Sequence, residues 1–170
     1  MTYVNRLLLD RKIEDTNRRQ PIERQPLLLV VEDNEATTAA LQPICEFLDV
    51  AIERIPSHLD LANILREFRP MGVITELDCQ GQDGCHVMIT IADFDRTLPI
   101  LLLTGDEPSL AGAVDAVEEI WQLETVSQSP RLPSIGEIVD FIFKAGRKGR
   151  FARMMPVQPH AITAHSDIPH

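Results

Sequence analysis

The sequence predicts an α/β domain, a doubly wound, five-stranded parallel sheet covered by helices on both faces. Three observations predict it. Short apolar runs recur along the chain and end in polar or acidic residues, stretches with helical spacing alternate with them, and the connections have the length that right-handed crossovers need. With 170 residues and an ordinary globular composition, the chain can bury a substantial core.

Each element has a local reason. Residues 27–31 (Leu-Leu-Leu-Val-Val) read as a buried strand that stops at Glu32-Asp33-Asn34. Helical spacing then runs through Thr38, Leu41, Ile44, Cys45 and Leu48, where Pro43 removes a backbone donor and is expected to kink or shorten the helix. Residues 50–55 read as a second strand. Ser57, with Asp60 three residues on, resembles a capping arrangement ahead of Leu59, Leu61, Ile64, Leu65 and Phe68, and the helix closes at Arg69-Pro70. Residues 73–77 form the third strand, ending in the carboxylate Glu76 and followed by a turn-rich loop that closes on Asp83-Gly84.

A helix over 85–94 presents Val87, Met88, Ile91 and Phe94, and residues 98–104 form a fourth buried strand. Asp106-Glu107-Pro108 suits a first helical turn, where the dipole and spare amide positions favour acid and proline, and that helix extends to about Trp121. Residues 124–128 carry the weakest strand pattern. Ser134 starts a last helix with Ile135, Ile138, Val139, Ile142 and Phe143 as its apolar stripe. The domain is thus expected over 26–145, between a flexible arm at 1–25 and a disordered tail at 146–170. The evenly spaced His160, His165 and His170 of that tail read as solvated side chains before they read as a metal tract.

Charge is uneven. Residues 26–144 carry six Lys/Arg against 21 Asp/Glu, which leaves −15, while the two ends are basic and bring the whole chain to −10. So acidic a body disfavours nucleic acid, whose binding rests on clustered cations. Neither a membrane span nor a secretory leader is visible, since Leu7-Leu8-Leu9 runs at once into Asp10-Arg11-Lys12, so a cytoplasmic location is expected. The three cysteines, Cys45, Cys79 and Cys85, have no zinc-like spacing and read as reduced thiols; Cys79 and Cys85 flank the acidic loop without a nearby cation to activate them.

The stretches Leu28-Leu29-Val30-Val31-Glu32-Asp33-Asn34-Glu35, Glu76 through Asp83-Gly84, Leu103-Thr104-Gly105 and Ser129-Pro130 resemble the receiver domain of two-component response regulators, which has the flavodoxin-like fold. The resemblance covers about residues 26–145. It implies a pocket at the carboxyl edge of the sheet, where acidic residues after the first strand hold Mg²⁺ and an aspartate ending the third strand takes a phosphoryl group from a histidine kinase. A hydroxyl ending the fourth strand and a lysine before a proline, commonly cis, complete it. Phosphoryl transfer needs that set because its catalysis is mostly positioning and cancellation of charge.

Matched residue by residue, Glu32 and Asp33 take the metal positions and Thr104 the hydroxyl. The acceptor position, counted back from Asp83-Gly84, holds Glu76, the lysine position holds Ser129, and the aromatic switch position holds Val126. Arg131 is the nearest cation, two residues away. A slip of two residues would instead make Asp78 the acceptor. Glutamate carries its carboxylate one methylene further out, and displacement of about an ångström costs on the order of a hundredfold in rate.

Glu32, Asp33 and Glu76 are expected to converge without a lysine. Like charges about 5 Å apart repel by roughly 3 kcal/mol at an effective dielectric near 20. Protonation, an incoming cation such as Arg131, or a divalent ion such as Mg²⁺ would relieve this, the first two being preferred and no cofactor being required. The expected function is that of a stand-alone pseudo-receiver. It is not an enzyme and works by phosphorylation-independent contact with a signalling protein, a histidine kinase or a downstream effector, through the fourth helix, fifth strand and last helix. A further reading makes Glu76 a mimic of the phosphorylated state, reaching towards Thr104. The alternative is a phosphorylatable single-domain regulator with Glu76 or Asp78 as acceptor. A small-molecule site ranks last for want of a glycine-rich phosphate cradle.

Overall fold

The computed structural model describes residues 25–57, 59–79, 82–105 and 108–148. The expected arm, apart from Gln25, and the tail beyond Lys148 with its three histidines lie outside the described residues. Five parallel strands form the main sheet in the order β2-β1-β3-β6-β7: β1 (Leu27–Val31), β2 (Ala51–Ile55), β3 (Gly72–Glu76), β6 (Ile100–Leu103) and β7 (Val126–Ser129). The helices are α1 (Ala36–Phe47), α2 (Leu61–Phe68), α3 (Gly84–Phe94), α4 (Pro108–Trp121) and α5 (Ile135–Lys148). No helix among the described residues is long and apolar enough to cross a membrane.

Alternation along the central strands divides the core in two. Leu27, Leu29, Val31, Val73, Ile100 and Leu102 face the layer that includes Ile64 and Leu65 of α2, Val87 and Ile91 of α3, and Val114 of α4. Leu28, Val30, Ile74, Leu101 and Leu103 face Leu41 and Cys45 of α1 and Ile138, Phe141, Ile142 and Ala145 of α5. Burial in the second layer pushes the Cys45 thiol up to about 11, so it packs there as a small apolar group. The order places β1 and β3 side by side at the point where the winding reverses, which in an open α/β sheet is where a site is built.

Several boundaries differ from the sequence expectation. Pro43 lies inside α1 and does not end it there, the helix running from Ala36 to Phe47, since one lost amide bond is outweighed by the buried face of Leu41 and Cys45. Asp60, and not Ser57, caps α2, its carboxylate accepting from the Asn63 amide at 3.2 Å. The acidic loop is not simply a turn: β4 (Asp78–Cys79) and β5 (Gln82–Asp83) pair antiparallel as a small hairpin. The last helix runs on to Lys148, with Gly146 buried, so the folded part extends three residues past the expected 145. Ser134 starts it as expected, in a reciprocal box with Glu137. The hydroxyl and amide of Ser134 donate to that carboxylate at 2.7 and 2.9 Å and hold its pKa below the usual range.

Two glycines are dictated by close approach. A Cβ on Gly72 would lie 3.3 Å from Ala145 Cβ, so its absence lets α5 settle on β3. Gly84 is tighter. Its Cβ would lie 2.6 Å from Leu77 Cα and 2.9 Å from the Leu77 carbonyl oxygen, while its amide donates to that same oxygen at 2.9 Å. The start of α3 is thereby pinned to the residue that follows Glu76, which is why the loop closes on Asp-Gly.

Gly84→Ala is therefore expected to lower unfolding stability by about 2–3 kcal/mol, because backbone has to move. Gly136→Ala, in open space within α5, should be neutral or gain roughly 0.5–1 kcal/mol from helix propensity. Urea melts of both variants check the contrast, and an unchanged midpoint for Gly84→Ala would contradict it.

Candidate functional site at the carboxyl edge of the sheet

The site is built where β1, β3 and β6 end. Glu32 follows β1 directly, and its amide donates to the Ile55 carbonyl of β2 at 3.1 Å, which fixes its backbone. The side chain is fully buried and turned to the start of α1. Its Oε2 accepts from the Thr37 amide and its Oε1 from the Thr38 amide, each at 2.9 Å. The Asn34 side chain accepts from the Ala36 amide at 2.9 Å, so the first three amides of α1 all have partners. A carboxylate here is favoured twice over, by two charge-assisted bonds and by the positive end of the helix dipole.

Asp33 is held elsewhere. Its Oδ1 accepts from the Ser57 amide at 3.0 Å and the Ser57 hydroxyl at 2.7 Å, and that hydroxyl lies 2.9 Å from Oδ2. Ser57, 2% exposed, thus ties the β2 end of the edge to the β1 end. Arg54 reinforces this corner, with one guanidinium nitrogen 3.4 Å from the Asp33 carbonyl and the other 3.5 Å from the Glu35 carboxylate.

Glu76 is the last residue of β3, in register with Leu103 of β6, and it is half-buried. The Thr37 hydroxyl donates to its Oε1 at 3.4 Å. Thr37 therefore touches both acidic positions, through its amide to Glu32 and through its hydroxyl to Glu76. Asp78, the alternative acceptor, falls in the hairpin opposite Asp83. The Thr104 amide donates to the Ser129 carbonyl at 2.8 Å, and its hydroxyl lies 3.4 Å from the carbonyls of both Ser129 and Gly105, placed by the backbone instead of reaching Glu76.

Ser129 is the final residue of β7, and its hydroxyl donates to the Arg131 carbonyl at 2.7 Å. The described residues contain no cis peptide, so the cis bond that the resemblance implied before Pro130 is not formed. Arg131 is exposed and belongs to neither ion pair formed among the described residues. Val126 packs as a half-buried side chain against the α2–α3–α4 layer, as does Cys85.

The expected convergence of Glu32, Asp33 and Glu76 is thus not what the edge shows. Among the described residues no three of His, Cys, Asp or Glu come together as a metal site. Glu32 is bonded to two helix amides and Asp33 to Ser57. Sequence reading missed Thr37 and Ser57, and the signals were slight. Thr37 stands five residues after Glu32 in a first helical turn, and Ser57 stands two residues after the strand that neighbours β1.

Removing the cap should be costly. Glu32→Ala would orphan two buried amides and leave a cavity, for an expected loss of about 2–4 kcal/mol, whereas Asp33→Ala at the exposed corner should lose about 1 kcal/mol. Denaturant melts of the two variants measure this. A stabilising Glu32→Ala would instead reveal a cluster under charge repulsion.

No protein-family model matches the chain, and no curated protein matches it. Solved structures do. The chain is similar to a response regulator receiver protein from Pseudomonas putida, with 23% identity and a TM-score of 0.55 over 72% of this chain and 99% of that one. The signal receiver domain of a two-component response regulator from Bacteroides fragilis matches at 20% identity and a TM-score of 0.56, over 71% and 96%. The signal receiver domain of a Luxo repressor protein from Vibrio parahaemolyticus matches at 15% identity and 0.59, over 75% and 95%. Element order, sheet order and these likenesses agree: the chain has the fold of response regulator receiver domains.

Proposed function

We propose that the chain is a receiver-type module of two-component signalling that acts by protein contact and not by phosphoryl transfer. The observation that supports this most is the occupation of the edge by internal bonds. Glu32 is committed to the amides of Thr37 and Thr38, Asp33 to Ser57, and Ser129 to the Arg131 carbonyl. Phosphoryl transfer would need an open set of charges that neutralises the equatorial oxygens, and the lysine position supplies none. Glu76 adds a carboxylate of unsuited reach to that arrangement. A histidine kinase or a downstream effector is the fitting class of partner, and a cytoplasmic location would suit it.

Incubation with acetyl phosphate and Mg²⁺, followed by intact-mass measurement, tests the reading. The unmodified mass is expected after hours. An adduct of one phosphoryl group that is labile to base and lost in Glu76→Gln or Asp78→Asn would instead establish the phosphorylatable regulator.

A further inference from the structure

The neighbouring flanks of α2 and α3 enclose a cavity of about 320 Å³, lined by Ala62, Arg66, Thr90, Asp93 and Phe94. Ala62 and Arg66 lie one turn apart on α2, and Thr90, Asp93 and Phe94 share one side of α3, so each wall is a single helix flank. Ala62, Thr90 and Phe94 are half-buried, and Phe94 packs against the core layer beneath, whereas Arg66 and Asp93 are exposed. The volume falls at the lower end of the range for small-molecule sites, roughly 300–1,000 Å³.

The two walls carry opposite charges that are not paired with each other. Arg66 is drawn along its own helix: its Nη1 donates to Asn63 Oδ1 at 2.9 Å, and the Asn63 side-chain amide donates to Asp60 Oδ2 at 2.6 Å, so the cap of α2 orients the guanidinium. Neither Arg66 nor Asp93 belongs to either ion pair formed among the described residues. The Thr90 hydroxyl donates to the His86 carbonyl at 2.9 Å, which leaves its oxygen as an acceptor on the wall that carries Asp93. One wall thus presents donors and the other acceptors, while Ala62 and Phe94 supply apolar surface.

That pattern selects by charge. A lone carboxylate or a phosphate would meet Asp93, and a lone amine or a metal cation would meet Arg66, so each would be repelled by one wall. A dipolar molecule suits both. We propose that the cavity between α2 and α3 binds a free α-amino acid with an aliphatic side chain. Its carboxylate lies on the Arg66 guanidinium, its ammonium on the Asp93 carboxylate and the Thr90 oxygen, and its side chain against Phe94 and Ala62. Guanidinium and carboxylate match as a planar pair, and charge-assisted bonds of this kind are the strong ones. The inference is independent of what the strand edge does, because none of these residues belongs to it.

Amide resonances of Thr90 and Phe94 in the full chain, followed during titration with L-leucine, 4-methylpentanoate and 3-methylbutylamine, test the proposal. The second probe is leucine without its ammonium, and the third is leucine without its carboxylate. L-Leucine is expected to saturate with a dissociation constant at or below about 1 mM, and each truncated probe to bind about tenfold more weakly or worse, a difference of about 1.4 kcal/mol. Arg66→Gln should abolish the preference for L-leucine over 3-methylbutylamine and keep that over 4-methylpentanoate, and Asp93→Asn should do the reverse. Both positions are exposed, and an unchanged melting temperature would confirm that the fold is kept. Ala62→Phe, which fills the cavity and leaves both charges, should remove saturable binding. No saturation by L-leucine at about 10 mM would overturn the proposal. So would equal affinities for the three probes, preferences unchanged in the two charge variants, or saturable binding that survives Ala62→Phe.

Discussion

A single buried carboxylate organises the functional edge of this molecule. Glu32 sits at zero exposure between β1 and the first turn of α1, and it persists there because two backbone amides point at it. Without those amides a buried anion would be prohibitively expensive, and without the anion α1 would begin with two unsatisfied donors. The pair fixes where α1 starts. It thereby also places Thr37, whose hydroxyl then reaches Glu76 across from β3. The neighbouring corner repeats the principle on a smaller scale, with Asp33 satisfied by Ser57 and braced by Arg54.

Seen from this edge, a receiver fold does not guarantee receiver chemistry. The fold supplies a sheet whose strand ends converge and a loop pinned by the close approach of Gly84 to Leu77. Which bonds those ends make is a separate matter, set by side-chain length and by which partners lie within reach. Glu32 has the reach to cap the helix, and a serine at the lysine position has only its own loop to bond. The same scaffold thus carries a set of internal ties that hold its strand ends in place, and the fold alone does not assign a function.

Much of this was legible in the sequence. The strands of the central sheet announce themselves as apolar runs, because they are buried on both faces, and Asp83-Gly84 located Glu76 at the end of the third. The hairpin of Asp78–Cys79 with Gln82–Asp83 escaped notice, since strands of two residues have no periodicity to read. Pro43 does not end α1 where it stands, because local propensity is weaker than the burial of Leu41 and Cys45. The direction of Glu32 was beyond sequence reasoning. A carboxylate after a strand can turn to a metal, a proton or a helix amide, and the choice depends on the placement of α1 relative to β1. Ser57 failed for a similar reason: a serine three residues before an aspartate suits a cap, yet proximity of β2 to β1 gave it a better acceptor in Asp33.

We propose that the Thr37 and Thr38 amides, each 2.9 Å from the Glu32 carboxylate, keep it even when Mg²⁺ is offered. The amide resonances of Thr37 and Thr38, followed by NMR during titration with Mg²⁺ up to about ten millimolar, test this most directly. An ion held with a millimolar dissociation constant would stabilise the fold by about 1.4 kcal/mol at that concentration and pull the carboxylate from its amides. Both resonances are expected to remain at their downfield, carboxylate-bonded positions throughout. A saturable movement of the two together, lost in Glu32→Gln, would contradict it.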